Sequence, residues 1–260
     1  MITLLGRHPT GLLALLFVSL VDCNPSSAGR TGQQTPTHPK PTITPKPMAD
    51  MPTFFYVYDA LCGWCYGFSP VMQNVAAKYK GKLAFEVISG GMVTGSRVGP
   101  IGQVAPYIKS AYKDVERATG TKFGKAFLDG TLEKGTAIFS SLEPALALAV
   151  VRTHAPDKTL AFAHELQHAI YYDGVAPTDL DGLAAYAEKY GVSKADFLKE
   201  VKSPLVEAQA IKEFRTSDSL KVTGFPTTFL MKGQKLHKLS EGYLPQDELE
   251  RRIVQVLTGK

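Results

Sequence analysis

The chain has 260 residues, of which 44% are hydrophobic and 20% charged, and its formal net charge is +5. This composition is typical of a soluble globular protein, and the length fits one domain or one domain with a large insertion. No basic stripe is interleaved with aromatic residues, so the sequence predicts no nucleic-acid partner. The three cysteines, Cys23, Cys62 and Cys65, are too few for a disulfide-stapled secreted scaffold. They also lack the second pair of ligands that a zinc ribbon needs.

The N-terminal segment carries the features of an export signal. Arg7 precedes ten apolar residues at 12–21, which are too few to span a bilayer as a helix but suit the hydrophobic core of a secretory signal. If LVDC is a lipobox, residues 1–24 form a lipoprotein-type leader, and Cys23 becomes a lipidated N-terminus that anchors the protein in a membrane. Asp22 fits this interpretation poorly, because its position normally holds a small residue.

Two other interpretations of the N-terminus stay open. Cleavage could follow Ala28, with Ser26 near the site, or translation could start at Met48 or Met51. An exported protein belongs in a bacterial cell envelope or periplasm, whereas a start at Met48 makes it cytoplasmic. Residues 25–51 are rich in proline and threonine and nearly free of large apolar side chains, so we predict a disordered linker there.

The folded part is predicted to begin with a β-α-β unit. Residues 53–58, TFFYVY, form a continuous aromatic and β-branched run that indicates a buried strand. Apolar residues then recur at helical spacing after Cys62, and Gly81 marks the end of this helix. A second strand is predicted at 83–88, and the strand-helix-strand order favours a parallel pair.

A helical block separates this unit from a second one. From about 103 to 219, successive segments carry apolar residues three or four apart. Strands are then predicted at 227–231 and 235–239, joined by a hairpin turn, and an amphipathic helix closes the chain. The sequence therefore predicts an α/β domain over 52–258, with the order β-α-β, an all-helical insertion, and β-β-α.

A C-G-W-C motif lies at the predicted junction between the first strand and the first helix. Its first cysteine occupies the helix N-terminus, where unpaired backbone N–H groups and the helix dipole stabilise a thiolate. The thiolate is the reactive form, so Cys62 is predicted to attack a substrate disulfide and Cys65, one turn later, to displace the substrate. The alternatives are a metal site with only two thiols and a purely structural disulfide, whose small loop would add little stability.

This motif and a later G-F-P-T at 224–227 resemble the DsbA family of thiol:disulfide oxidoreductases. The FrnE-like branch, which has a tryptophan before the second cysteine, is the most similar part of that family. The resemblance covers about residues 53–257 and implies a thioredoxin fold with a helical insertion. It also implies that Cys62 is the attacking thiol and Cys65 the resolving thiol.

The resemblance assigns further residues around the cysteine pair. Gly63 and Trp64 are the intervening pair that tunes the redox potential. Pro226 matches the family's cis-proline, which lies beside the cysteines, and Phe225 before it would offer backbone polar groups to a substrate strand. Pro70 matches the position at which the family's active-site helix is kinked.

One position departs from the family pattern. Many relatives carry a buried carboxylate in the first strand, six residues before the first cysteine, where this sequence has Tyr56. Asp59, at the end of that strand, is the nearest acid. We predict either that Asp59 relays the proton of Cys65 or that it is a turn or cap residue.

The sequence H-E-x-x-H at 164–168 matches a zinc-protease motif. On a helix each histidine lies roughly 160° from Leu166, which belongs to the core-facing stripe. His164 and His168 are therefore predicted to point to solvent or to a partner, and no third ligand follows at the metzincin spacing. The sequence predicts no metal site.

Together these features predict an enzyme that exchanges disulfides with protein or peptide thiols, or with a redox partner protein, without a cofactor. One alternative is a non-catalytic thioredoxin-like module that grips peptides. Another is a glutathione-dependent isomerase or transferase of the same fold, although such relatives carry serine in place of Cys62. The redox direction and the oligomeric state stay open, because oxidants, reductants and isomerases share these parts.

Overall fold

A computed structural model describes residues 51–259 of the chain. The predictions for the leader at 1–24, for Cys23 and for all but the last residue of the 25–51 linker lie outside these residues. Within the described part, no helix is both long enough and apolar enough to cross a bilayer.

Within residues 51–259, six strands form two sheets. The strands are β1 (Thr53–Tyr58), β2 (Ala84–Ser89), β3 (Gly99–Pro100), β4 (Ile138–Phe139), β5 (Thr227–Lys232) and β6 (Lys235–Glu241). The main sheet has the order β2-β1-β5-β6, with β1 parallel to β2 and antiparallel to β5. Strands β5 and β6 form an antiparallel hairpin. The predicted parallel pair and the late hairpin are confirmed, with strand ends moved by one or two residues.

The helices precede, separate and follow the strands of this sheet along the chain. They are α1 (Gly63–Lys78), α2 (Ala105–Thr119), α3 (Leu142–His154), α4 (Thr159–Tyr171), α5 (Leu180–Glu188), α6 (Lys194–Glu200), α7 (Pro204–Ser219) and α8 (Gln246–Thr258). Helices α2 to α7 lie between β2 and β5, so the α/β class with a large helical insertion is confirmed. Strands β3 and β4 form a small second sheet beside these helices.

Strand β1 is buried on both faces, which explains its unbroken apolar run. Tyr56 and Tyr58 face the main core, whereas Val57 faces a smaller core with Ile88 and Phe229. Because both faces are packed, the end of β1 is held firmly at the point where the chain turns into α1. The cysteine pair lies at this turn.

A proline inside α1 is accommodated by a contact with α4. Pro70 has no N–H to donate to the carbonyl of Tyr66, four residues earlier. The hydroxyl of Ser69 donates to that carbonyl instead, at 2.8 Å, and also lies 2.7 Å from Nδ1 of His164. Since the hydroxyl proton is already used, Nδ1 of His164 is the donor in the second bond. Helix α4 is thereby tied to the helix that carries the cysteines.

The helical insertion is joined to the edge strand β2 by polar contacts. Arg152 of α3 pairs with Glu213 of α7 and donates to the carbonyl of Val87 at 2.7 Å. The backbone N–H of Ser89 donates to Glu213 at 2.9 Å. These bonds satisfy backbone groups of β2 that would otherwise be open to strand pairing.

Candidate active site

The two cysteines of the C-G-W-C motif occupy distinct positions at the start of α1. Cys62 is the N-cap residue, in an extended backbone conformation, and Cys65 lies within the first turn of the helix. Both are free thiols. Cys62 retains 8% of its surface exposed, whereas Cys65 has none. Of the two residues, only Cys62 therefore has surface that a substrate can touch.

Hydrogen bonds from α4 fix the turn between β1 and α1. The N–H of Cys62 donates to the carbonyl of Asp59 at 3.1 Å. Nε2 of Gln167 donates to the same carbonyl at 3.2 Å and lies 3.5 Å from the carbonyl of Cys62. The hydroxyl of Tyr171 donates to the carbonyl of Leu61. The turn that presents Cys62 is thus held by two side chains more than a hundred residues later in the chain.

Sequence reasoning did not identify Gln167 or Tyr171. Gln167 lies beside Leu166 in the core-facing stripe of α4 and is only 1% exposed. A polar amide in a predicted core stripe must find hydrogen-bond partners there. The position of Gln167 in that stripe could therefore have indicated a buried hydrogen-bonding role. Tyr171 resembles any aromatic core residue in the sequence and carried no such signal.

Asp59 is a buried carboxylate that joins three segments. One oxygen accepts from the N–H of Leu61 at 2.9 Å and from the hydroxyl of Ser141 at 2.9 Å. The other accepts from the N–H of Met92 at 2.8 Å. Burial raises the pKa of Asp59, and these hydrogen bonds oppose that rise. The contacts place Asp59 as a clamp between the active-site turn, the loop after β2 and the start of α3.

The loop before β5 closes over Cys62. The peptide bond between Phe225 and Pro226 is cis. The carbonyl of Phe225 accepts a hydrogen bond from Sγ of Cys62 at 3.4 Å, across 163 positions of sequence. The ring of Phe225 lies directly against Gly90, where an added Cβ would come within 2.1 Å of the ring. A side chain at position 90 would therefore displace the carbonyl that faces the thiol.

The inner thiol has a different environment. Burial, followed by the hydrogen bond to Cys62, raises the pKa of the Cys65 thiol well above its ordinary value. The hydroxyl of Tyr56 lies 3.4 Å from the carbonyl of Cys65 and within hydrogen-bonding reach of its side chain. The position at which many relatives have a carboxylate thus brings a neutral hydroxyl to the resolving cysteine.

An apolar cavity of about 130 Å³ opens beside Cys62. It lies between the start of α1 and helix α2, and aromatic and aliphatic side chains form most of its wall. The lining residues are Leu61, Cys62, Gly63, Trp64, Met92, Tyr107, Ile108, Ala111, Tyr112, Val115, Phe123 and Tyr171. Tyr107 at its edge is 70% exposed. Of the intervening pair, both Gly63 and Trp64 contribute to this wall.

The two histidines of H-E-x-x-H do not converge on a metal site. His164 is partly buried against Ser69 of α1, and Nδ1 of His168 lies 3.0 Å from Asp173. The prediction that both histidines face solvent is therefore only partly right for His164, because Ser69, next to Pro70 in α1, is its hydrogen-bond partner. Among residues 51–259, no group of three or more His, Cys, Asp or Glu side chains could hold a metal ion.

The sequence-family model of the DSBA-like thioredoxin domain matches residues 54–254, which is most of the chain. The chain belongs to the DSBA-like thioredoxin domain family. A search among curated proteins gave no significant match.

Two solved structures show the same fold over nearly their whole length. The cytosolic disulfide reductase DsbM from Pseudomonas aeruginosa is 28% identical, with a TM-score of 0.67, over 79% of this chain and 99% of that one. A protein from Nitrosomonas europaea, provisionally named a protein disulfide isomerase, is 22% identical, with a TM-score of 0.71, over 80% and 98%. DsbM was also solved with GSH.

Proposed function

We propose that the protein is a thiol:disulfide oxidoreductase that exchanges disulfides with protein or peptide thiols through Cys62 and Cys65. The observation that carries this proposal is the pairing of a reachable thiol at the N-terminus of α1 with a buried thiol one turn later. The DsbA-like family supports thiol–disulfide chemistry in general, and DsbM, a disulfide reductase, is a structural neighbour.

In the first step Cys62 attacks a substrate disulfide. The first N–H groups of α1 have no partner inside the helix, and together with the helix dipole they favour negative charge on the N-cap sulfur. The Cys62 thiolate forms a bond to one substrate sulfur, and the other leaves as a thiolate with the electron pair. The product is a mixed disulfide between Cys62 and the substrate.

In the second step Cys65 attacks the sulfur of Cys62. A new Cys62–Cys65 bond forms, the remaining substrate sulfur leaves, and the substrate is reduced by two electrons while the enzyme is oxidised. The reverse sequence oxidises a substrate dithiol. Asp59, whose pKa is raised by burial, is proposed to accept or return a proton during these steps.

The cavity and the Phe225 loop are proposed to hold the substrate chain. An apolar cavity of about 150 Å³ can hold a molecule of benzene, so the cavity beside Cys62 can take one apolar side chain next to the substrate cysteine. The backbone of Phe225 and Pro226 would meet the substrate main chain on the other side of the sulfur. Gly63 and Trp64, which line the cavity, would affect both substrate fit and redox potential.

Replacement of the cysteines tests the proposal. We expect Cys62→Ser to abolish reduction of insulin disulfides, because the attacking sulfur is lost. Cys65→Ser should instead accumulate mixed disulfides that are seen by mass spectrometry, because the first step is intact and the second is not. Cys23→Ser is the matched control and should retain activity. Full activity in Cys62→Ser would remove the proposal and leave a peptide-binding module.

A glutathione-linked activity is a second candidate. DsbM, at 27% identity in its GSH complex, supports glutathione as the thiol that reduces the Cys62–Cys65 disulfide. A glutathione-dependent isomerase or transferase is less well supported, since such enzymes have serine where this chain has Cys62. Mixing the oxidised protein with excess glutathione distinguishes these: release of two protein thiols with formation of one glutathione disulfide supports a redox partner, and an unchanged Cys62–Cys65 disulfide counts against it.

The cellular location stays a proposal as well. We propose an exported, envelope protein, with a lipid on Cys23 or cleavage after Ala28, and a cytoplasmic protein started at Met48 as the alternative. The intact mass of the protein purified from native cells decides among the three.

A further inference from the structure

The second step of exchange poses a problem that the cysteines alone do not solve. Cys65 has no exposed surface, so its thiolate forms without direct contact with water. Burying an ionised sulfur in an apolar environment is strongly unfavourable unless hydrogen-bond donors replace the water. The side chains around Cys65 must therefore include such donors.

Tyr56 is positioned to be one of them. Its hydroxyl donates to the carbonyl of Cys65 at 3.4 Å, which places it beside the resolving cysteine. The Cys65 side chain in turn contributes to the raised pKa of Tyr56. The side chain is 2% exposed, and its ring lies 5.5 Å from that of Tyr58 and 6.0 Å from that of Phe68. These ring contacts hold the phenol in place and leave the hydroxyl hydrogen free to turn.

The other polar groups near Cys65 cannot replace this donor completely. The backbone of Asp59 lowers the pKa of the Cys65 thiol and so favours its thiolate. The Asp59 carboxylate, however, is an acceptor engaged with Leu61, Met92 and Ser141, and its negative charge opposes a neighbouring thiolate. Tyr56 therefore brings a side-chain donor to the resolving cysteine, and in the thiol state this donor lies on the carbonyl of that residue.

We propose that Tyr56 is a catalytic residue whose hydroxyl donates a hydrogen bond to the Cys65 thiolate as it attacks the mixed disulfide. This rests on the proposed function, because it concerns the second step of exchange. In the thiol state the hydroxyl donates to the Cys65 carbonyl, and in the thiolate state it turns to the sulfur. The Cys65 proton goes to the departing substrate thiolate, directly or through Asp59, while Tyr56 keeps its own proton.

The chemistry of a buried phenol fits this role. Burial raises the pKa of Tyr56 well above its ordinary value, so the hydroxyl stays protonated and available as a donor. A hydrogen bond to a charged group corresponds to about tenfold to a hundredfold in rate or equilibrium. We therefore expect the loss of the hydroxyl to slow resolution of the mixed disulfide by at least about tenfold.

The test separates the two steps in one trace. Reduced protein is mixed with 5,5′-dithiobis(2-nitrobenzoate), and the absorbance of released thionitrobenzoate is followed by stopped flow. Attack by Cys62 releases the first equivalent in a second-order phase, and attack by Cys65 releases the second in a first-order phase. Tyr56→Phe should leave the first phase within about twofold and slow the second at least about tenfold.

Tyr58→Phe is the matched control. Tyr58 lies on the same face of β1 and is equally buried, but the hydrogen bond to the Cys65 carbonyl comes from Tyr56. Both phases should be unchanged in this variant. A normal second phase in Tyr56→Phe, or an equal slowing in Tyr58→Phe, would overturn the role of Tyr56.

Two further measurements keep the outcomes distinct. Release of fewer than two equivalents of thionitrobenzoate by the wild-type protein would contradict the proposed function, whereas two equivalents with an unslowed second step in Tyr56→Phe would contradict this inference alone. If Tyr56→Phe does not fold, Tyr56→Met removes the hydroxyl with a flexible apolar side chain. In a Cys62→Ala background, the ultraviolet absorbance of the Cys65 thiolate is followed against pH. The midpoint of this titration should move to higher pH when Tyr56 is replaced by Phe, and an unchanged midpoint would also overturn the role of Tyr56.

Discussion

His164 shows how a residue with an apparent catalytic signature can serve the fold instead. It belongs to an H-E-x-x-H motif, yet its Nδ1 donates to Ser69 at the point where Pro70 interrupts α1. Burial lowers the pKa of His164 from its ordinary value of 6.5. The sequence placed the two histidines correctly on one helix face. It could not show the contact, because α1 and α4 meet only in the folded chain.

This lowered pKa predicts a pH dependence of stability. Below about pH 6.5 the unfolded chain binds a proton at His164 that the folded chain binds less readily, so the free energy of unfolding falls as the pH drops, until the pKa of the folded chain is passed. His164→Gln removes the contribution of this imidazole to the pH dependence of the free energy of unfolding. Urea denaturation at several pH values should therefore show a smaller loss of stability in the variant than in the wild type.

The outcome that would contradict this prediction is a wild-type curve parallel to that of the variant across the whole pH range. His237→Gln, on β6 and away from α1, controls for the loss of an imidazole elsewhere in the protein.

At the scale of elements, the sequence predicted the strands and helices well and their junctions less well. The continuous run in β1 and the spacing in α2 are strong local signals, because each reflects packing of that element alone. Strands β3 and β4 pair through only two residues each, Gly99 with Phe139 and Pro100 with Ile138. A two-residue ladder has no periodicity, so no pattern in the sequence indicates it.

The cavity between α1 and α2 makes a second prediction. Ala111, on the cavity side of α2, is half-buried. Ala111→Phe should fill the space and slow reaction with peptides that have an apolar residue beside the disulfide, by about tenfold or more, since each methylene in an apolar pocket is worth about 1–3 kcal/mol. Reaction with small disulfides should change much less, because they do not use the cavity. Rates for the two substrate types are compared by thiol release.

Ala118→Phe is the control for this change, because Ala118 lies on the same helix but is exposed to solvent. Equal slowing for peptides and small disulfides in Ala111→Phe would mean that the cavity does not select substrates.

At the scale of the whole molecule, the site depends on contacts that no local pattern reveals. The cysteine pair, the helix N-terminus and the late proline were all identified in the sequence, because each is a short motif. Gln167 and Tyr171 were not, since their bonds to the active-site turn span more than a hundred residues. Arg152 and Glu213, which join the insertion to β2, are likewise ordinary charged residues in the sequence.

The single tryptophan of the chain offers a readout of the whole redox unit. Trp64 lies between the cysteines, with its ring 6.2 Å from that of Tyr243. Its fluorescence should change on closing the Cys62–Cys65 bond and follow a two-electron midpoint between about −270 and −120 mV in thiol buffers. The value would show whether the protein mainly reduces or oxidises. Persistence of the transition in Cys62→Ser, or its absence in the wild type, would contradict a redox role.

The hydrogen bond from Cys62 to Phe225 has a consequence for biosynthesis. Because 163 positions separate the two residues, a ribosome synthesises both cysteines long before it synthesises the loop that will face them. Throughout that interval the nascent polypeptide carries its reactive pair without the lid that orients it. Maturation of the enzyme is therefore expected to finish only after β5 has joined β1, because a chain that ends ahead of the Phe225 loop lacks that strand as well as the carbonyl that faces Cys62.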